Sequence, residues 1–282
     1  MEKEQIIKLQ RKANDLRKDT LNMCIEAGTG HVTSSFSCAE ILTTLYSGNI
    51  LNYKYNNPEW DERDRFILSK GQASPILYVA LTNAGFFSKD WLKTFCKKDA
   101  KFGVHLQNTV PGVEYSTGSL GHGLGLGTGV ALRAKIDKKK YHTFVLLGDA
   151  ELHEGSNWES AMFASSHNLN NLTAIVDRNG YGVLGATENI VKLNPLEKKF
   201  KSFGWDVKTI DGHSVKEIYE ATNNFRGYKE DKPLMIIAET VKGKGIKSWE
   251  NKALVHGMAP KGKDIKKLEE ELEVYSSRGE YE

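Results

Sequence analysis

Apolar residues recur along the chain with two alternating periods. Residues 4 to 27 place Ile6, Leu9, Ala13, Leu16, Thr20, Met23 and Ala27 at steps of three and four, which predicts an amphipathic helix lying on a core. SCAEILTTLYSGNIL repeats the pattern behind Ser37 as a cap, and SPILYVALTNAG repeats it again and stops at Gly85. Between helical segments lie short runs rich in β-branched and aromatic residues: YHTFVLLGD, LTAIVDRNG, WDVKTIDG and PLMIIAETV. Near-continuous apolar strands alternating with helices predict a mainly parallel sheet covered on both faces, an α/β fold of three α/β/α layers. No repeat, low-complexity tract or linker interrupts the pattern. Residues 1–282 therefore read as a single domain, with 246–282 as a C-terminal loop and a charged, solvated helix, KGKDIKKLEEELEVY.

Composition narrows the classes. With 282 residues, 39% hydrophobic, the chain can bury a substantial core. The 39 basic and 36 acidic residues leave a formal charge of only +3, which argues against a surface selected for nucleic acid. Cys24, Cys38 and Cys96 are odd in number and widely spaced, fitting a reducing compartment rather than a disulfide framework or a CxxC zinc site. The N-terminus is charged throughout, and no stretch approaches the roughly 18 apolar residues of a membrane span. The expectation is a cytoplasmic protein with neither nucleic acid nor membrane as partner.

The candidate chemistry lies at strand ends. LLGDAELHEG, residues 146–155, closes an apolar run with Gly148, Asp149 and further carboxylates. In a parallel sheet ligands bind beyond the carboxyl ends of the strands, where strand order reverses. Thirty residues later LTAIVD ends in the same way with DRNG, bringing Asn179 to the same edge. Two oxygen ligands on neighbouring strand ends suit a small hard cation that completes its shell with water and a ligand's phosphates, so the pair suggests a magnesium diphosphate site. The segment after it, SNWESAMFASSHNL, predicts a helix with Trp158, Ala161, Met162 and Ser165 on one face, its N-terminus offering free amides to an anion. Upstream, STGSLGHGLGLGTGVALRAK is glycine-rich; Gly118 to Gly121 suit phosphate contact, and the later glycines suit either ligand contact or tight packing.

One motif competes with this reading. GYGVLG, residues 180–185, matches GxGxxG, follows a strand and has Asp206 about twenty residues on, as a dinucleotide site requires. The next stretch, ATENIVKLNPLEKKF, is broken by Pro195 and shows no helix opening from the third glycine, so a nicotinamide site is the minor reading. A P-loop, GxxxxGK[ST], is absent from the sequence.

GDAELHEG followed thirty residues after its Asp by DRNG resembles the thiamine diphosphate signature, and the surroundings resemble transketolase. EAGTGHVTSS is similar to that family's early Gly-His-Pro segment, RDRFILSKGQASPILYVAL to its Ser-Lys-Gly-His-Ala segment, and STGSLGHGLG to its Thr-Gly-Ser-Leu-Gly-Gln-Gly segment. IDGHS and VKGKGI match later landmarks, so the resemblance covers essentially the whole chain. It implies the thiamine diphosphate-binding (pyrophosphate-domain) fold, with Asp149, Asn179 and the Tyr181 carbonyl holding Mg2+, or Ca2+ or Mn2+ in its place. It further implies cofactor contacts from Gly118, Ser119, Leu120, Gly148, Asp149, Ala150, Glu154, Asn179 and His256, and catalytic positions at His31, His105, His256 and Gln72. Glu154 and Glu159 match carboxylates that the family sets near the interface between paired sites. The implied reaction is transfer of a two-carbon ketol group from a ketose, or ketose phosphate, to an aldose.

The chain departs from the pattern at Gln72, which replaces a histidine, at Ala150, which replaces the second Gly of the signature, and at HVT, residues 31–33, which replaces His-Pro. Gln72 can hydrogen-bond but cannot relay a proton, so the expectation is an unusual substrate. Set against the family, the sequence corresponds to the first domain alone, which implies a separate C-terminal subunit carrying the pyrimidine-binding domain, in an α2β2 assembly. The α-subunit of a 2-oxo acid dehydrogenase shares the metal signature and the split arrangement and is the alternative among thiamine enzymes. An NAD-dependent dehydrogenase using GYGVLG, or a binding protein on a degenerate scaffold, are alternatives from other classes.

Overall fold

Every residue of TFVLLG and LTAIVDR is buried, as strands covered on both faces must be. In a computed structural model that describes residues 1–223, 225 and 230–277, they are the second and third of five strands. The strands β1 (Arg65–Leu68), β2 (Thr143–Gly148), β3 (Leu172–Arg178), β4 (Asp206–Asp211) and β5 (Leu234–Glu239) form one sheet in the order β1-β2-β3-β5-β4, with every neighbouring pair parallel. Side chains alternate between two cores: Phe144 and Leu146 join one, Val145 and Leu147 the other. Helices α1 (Lys3–Ala27), α2 (Val32–Phe36), α3 (Ala39–Ser47), α4 (Ser74–Asn83) and α9 (Val215–Thr222) contribute to the first core. Helices α5 (Gly123–Ile136), α6 (Gly155–Ser166) and α8 (Leu196–Ser202) contribute to the second, and α7 (Thr187–Ile190) is a single short turn. This is the three-layer α/β/α fold with a parallel sheet that the pattern predicts. Among the described residues no helix is long and apolar enough to cross a membrane.

Four expectations need correction. β1 is a fifth strand that periodicity did not mark, because RFIL is only four residues long between polar segments. Ser37 does not cap a helix: α3 starts at Ala39 with no side-chain cap, and the Ser37 hydroxyl instead donates to the buried Asp177 carboxylate at 2.6 Å. The buried face of α6 is Asn157, Ala161 and Ala164, which leaves Met162 half exposed. The terminal helix α10 (Asp264–Ser277) is not wholly solvated, since Leu268 and Leu272 dock it on the first core; residues 278–282 of the expected extension lie outside the described residues.

Helix α5 crosses β2 at very short range. A Cβ on Gly127 would stand 2.4 Å from Val145 Cγ2, so only glycine permits this approach. Two residues on, Gly129 faces open space. Gly127→Ala is therefore expected to lower stability by about 1–3 kcal/mol through overpacking. Gly129→Ala on the same helix is expected to be neutral or to stabilise by up to about 1 kcal/mol. Thermal unfolding of both variants beside the parent separates packing from helix propensity.

Candidate active site

Because all strands run the same way, the ends of β1, β2, β3 and β5 deliver their following residues to one edge of the sheet. Asp149 follows β2 and Asn179 follows β3 on the adjacent strand. β2 and β3 are also consecutive in the chain, so strand order does not reverse between them. The reversal falls beside β5, where the chain passes to β4 and returns. The site therefore spans β2, β3 and β5 rather than a crevice between two strands.

A buried hub underlies it. Asp177, on β3, forms a short ion pair with Lys70, accepts from the Ser37 and Thr240 hydroxyls, and accepts from Asn179 Nδ2 at 3.3 Å. Lys70 also donates to the Ser34 carbonyl at 2.9 Å. Burial alone would push the Asp177 carboxyl up, but Lys70 and the hydroxyl donors outweigh it and hold it below its ordinary value. The contact with Asp177 turns the Asn179 amide nitrogen inward and leaves its oxygen, which accepts from the Tyr181 amide at 3.2 Å, toward the sheet edge.

Asp149 is oriented just as closely. Its Oδ2 accepts from the Gly180 amide at 2.6 Å and from Arg178 at 3.0 Å, and its Oδ1 from the Ala150 amide at 2.8 Å. Burial first, and Asp177 second, push its carboxyl above the ordinary value against these donors. Beside it lies a cleft of ≈ 400 Å³ whose walls include Asp149, Asn179, Tyr181, Gly118, Leu120, Gly148, Ala150, Glu154, Gln72 and His31, His105 and His256. Of the site residues expected from the sequence, Ser119, exposed outside the wall, Glu159, exposed on α6, and Gly121, buried behind the wall, do not line it.

The histidines gather into one group. Ring centroids of His31 and His105 are 5.9 Å apart, and those of His31 and His256 5.4 Å. Burial, then the neighbouring His105 and Lys242, lower His31 to about 4, while burial, Lys242 and His31 lower His256 to about 3, so both are neutral near pH 7. Lys242 donates to His256 Nδ1 at 2.8 Å, which assigns the His256 proton to Nε2, and to the Tyr181 carbonyl at 3.2 Å. Burial, reinforced by Lys70, lowers Lys242 to about 8.

The cleft suits an anionic cofactor and its metal. Among the described residues His31 Nδ1, His105 Nδ1 and Ser34 Oγ, all on residues that line the cleft, are buried without a hydrogen-bond partner, which leaves polar capacity for a ligand to satisfy. One carboxylate, one amide oxygen and one backbone carbonyl make a donor set that leaves the rest of a hard cation's shell to phosphates and water. Among the described residues no group of three or more His, Cys, Asp and Glu side chains is placed to hold a metal ion. GYGVLG, by contrast, is a tight hairpin: Gly182 bonds the Gly185 carbonyl at 2.9 Å, and Val183 and Leu184 stand exposed at its tip. The helix directly after it, α7, has only four residues, too short to offer the helix terminus that a dinucleotide motif needs.

Sequence reasoning missed Lys70, Ser34, Asp177, Glu151 and Lys242. Asp177 had a readable signal, since an acid inside the apolar run LTAIVD must be paired when the strand is buried. A second buried network was also unforeseen. Arg17 makes a two-pronged pair with Glu40, both contacts at 2.6 Å, and Glu40 accepts from His213 Nδ1 at 2.9 Å. His213 Nε2 in turn accepts from the Val241 amide at 2.9 Å, tying IDGHS to the segment that carries Lys242.

Residues 9–278 match the family described as transketolase, thiamine diphosphate-binding domain. The chain belongs to the transketolase family. It is 40% identical over 257 residues to the 6-deoxy-6-sulfo-D-fructose transketolase subunit SqwG of Clostridium sp. (strain MSTE9), covering 90% of this chain and 92% of that one. It is 37% identical over 256 residues to an apulose-4-phosphate transketolase subunit of Phocaeicola vulgatus, covering 91% and 90%. The crystal structure of transketolase from Campylobacter jejuni superposes with a TM-score of 0.87 at 31% identity, over 98% of this chain but 46% of that one. The α/β/α sheet is thus the thiamine diphosphate-binding fold of the transketolases.

In this transketolase domain the Arg17–Glu40–His213 network is fully buried at its ion pair. Burial would raise the Glu40 carboxyl, but Arg17 and then His213 overcome it and hold it at about 2. A carboxyl depressed on folding stabilises fully above its unfolded value of about 4.3, and that contribution is lost as pH falls through the folded value. Glu40→Gln is expected to cost about 3–5 kcal/mol at pH 7 by stranding Arg17. Urea unfolding across a pH series should show the gap between variant and parent narrowing from about pH 4 toward pH 2.

Proposed function

We propose that the chain is the diphosphate-binding subunit of a two-subunit transketolase, which transfers a two-carbon ketol group from a ketose or ketose phosphate to an aldose. The observation that carries this is the pairing of Asp149 and Asn179 at adjacent strand ends, in one cleft with three histidines. Asp149, Asn179 and the Tyr181 carbonyl would hold Mg2+, or Ca2+ or Mn2+. Ser34, Lys242, Gly118, Leu120, Gly148 and Ala150 line the space for thiamine diphosphate. That cofactor supplies an electron sink for cleaving the bond next to the ketose carbonyl.

The chain's own residues hold and orient the sugar and move protons. His31, neutral near pH 7, can accept a proton from one substrate hydroxyl or donate a hydrogen bond to another, while His256, its Nδ1 taken by Lys242, can donate a hydrogen bond from Nε2. His105 lies against His31 and extends the same polar wall. Gln72 can bind a hydroxyl there but cannot carry a proton, which separates binding from proton transfer at that position.

A separate partner subunit is supported by the relatives named as transketolase subunits, and we propose that it carries the pyrimidine-binding domain in an α2β2 assembly. The chain covers 92% and 90% of two of these, against 46% of the Campylobacter jejuni transketolase. The chain co-purified with that partner is expected to bind thiamine diphosphate saturably in calorimetry when Mg2+ is present. Asp149→Ala should weaken binding by roughly a hundredfold, equivalent to about 2.7 kcal/mol. Ketol transfer by the chain alone at the rate of the mixture would overturn the two-subunit reading, and absence of Mg2+-dependent binding with the partner present would overturn the cofactor reading.

A further inference from the structure

Glu151 is almost wholly buried two residues beyond Asp149, and its side chain meets donors from three different segments. Oε1 accepts from the Ser69 hydroxyl and from the Gly121 amide, the latter at 2.9 Å. Oε2 accepts from the Gly148 amide at 3.0 Å. Ser69 itself accepts from the Gly123 amide at 3.1 Å, which turns its hydroxyl proton toward Glu151. All three partners donate to it, and these donors oppose the burial that pushes the Glu151 carboxyl above its ordinary value.

The backbone of Glu151 is fixed as well. Its carbonyl accepts from the buried Asn157 side chain at 2.7 Å and from the Glu154 amide at 3.1 Å, so the carboxylate cannot swing away with its own loop. The segment it holds has one other side-chain anchor at Gly121, whose carbonyl accepts from the Ser156 hydroxyl at 2.8 Å. Gly121 has φ +91°, a left-handed conformation, and a Cβ there would stand 2.5 Å from Glu154 Cβ. Thr117 donates to the Leu68 carbonyl at 2.8 Å upstream, and Gly123 bonds Ser69 downstream. Within that span, the hydrogen bond to Glu151 fixes the Gly121 amide.

We propose that Glu151 is a positioning residue: its carboxylate clamps the Gly118–Leu120 segment to the ends of β1 and β2 and so sets the shape of the cleft wall before any ligand arrives. That this wall receives thiamine diphosphate rests on the function proposed above; the clamp itself does not. Glu151→Gln preserves size but puts an amide N–H against N–H or O–H donors whichever way it turns. Glu151→Ala removes the clamp outright.

Hydrogen exchange on the full chain tests it without cofactor. In both variants the peptide spanning residues 117–124 should exchange roughly tenfold faster or more, the scale of one buried donor left unpaired. Strand β5, residues 234–239, should exchange at the parent rate. Unchanged exchange at 117–124, or an equal rise in β5, would overturn the clamp, the second outcome reducing Glu151 to general stability. Ser69→Ala, which removes one donor to Glu151, should give a smaller rise in the same peptide. In the complex with its partner, Glu151→Gln should raise the thiamine diphosphate dissociation constant roughly tenfold while kcat at saturating cofactor stays within about twofold of the parent. A parent complex that fails to bind would count against the cofactor reading, while the exchange result alone decides the clamp.

Discussion

The ion pair between Lys70 and Asp177 is the point from which the site is built. Neither side chain has access to solvent, and either charge left alone at that depth would be strongly destabilising. Lys70 comes from the end of β1 and Asp177 from β3, so the pair reaches across β2, while Ser34 and Ser37 bring in the start of the chain and Thr240 the end of β5. Segments distant in sequence are thereby fixed relative to one another by a few hydrogen bonds. Asn179 takes its orientation from the same carboxylate. The hub is thus structural in its contacts and functional in its consequence, because the edge of the sheet where ligands bind is shaped by the groups that satisfy Asp177.

Around this hub charges of both signs are closely set. Lys70 and Lys242 lie close enough for the first to disfavour charge on the second, and the two nearest histidines are kept uncharged by burial and by nearby ammonium groups. The same cleft lining carries Asp149, Glu151 and Glu154, and Lys70 is already paired with Asp177, so the ammonium groups are balanced by carboxylates while His31 and His256 add no charge.

Much of the fold was legible because it rests on local pattern. Long buried strands such as LTAIVDR announce themselves, and their periodicity forces the two-sided core. Asp149 and Asn179 were legible because each closes such a strand, so the parallel sheet delivers both to one edge. RFIL was not, because four residues carry too little period to register. Ser37 was misread because a serine before a helix suits a cap on local grounds, and only the tertiary structure reveals a buried carboxylate that claims its hydroxyl. Glu151 was hidden among the acids of GDAELHEG, where its neighbours in sequence say nothing of the amides that fold against it from residues 121 and 148. Local chemistry could be read from order along the chain; long-range satisfaction of polar groups could not.

The two anchors of the glycine segment also have a mechanical meaning. Thr117 is tied to the carbonyl of Leu68 and Gly123 to Ser69, adjacent residues at the end of β1, and from Gly123 onward the chain is the helix seated hard against Val145. The residues between are a short strap fastened at both ends to one rigid strand. Such a strap cannot open like a lid or slide along the sheet; its remaining freedom is rotation of individual peptide planes. A ligand meeting it would find a wall held at a set distance from the sheet, with the Gly121 peptide already committed to Glu151 and Ser156.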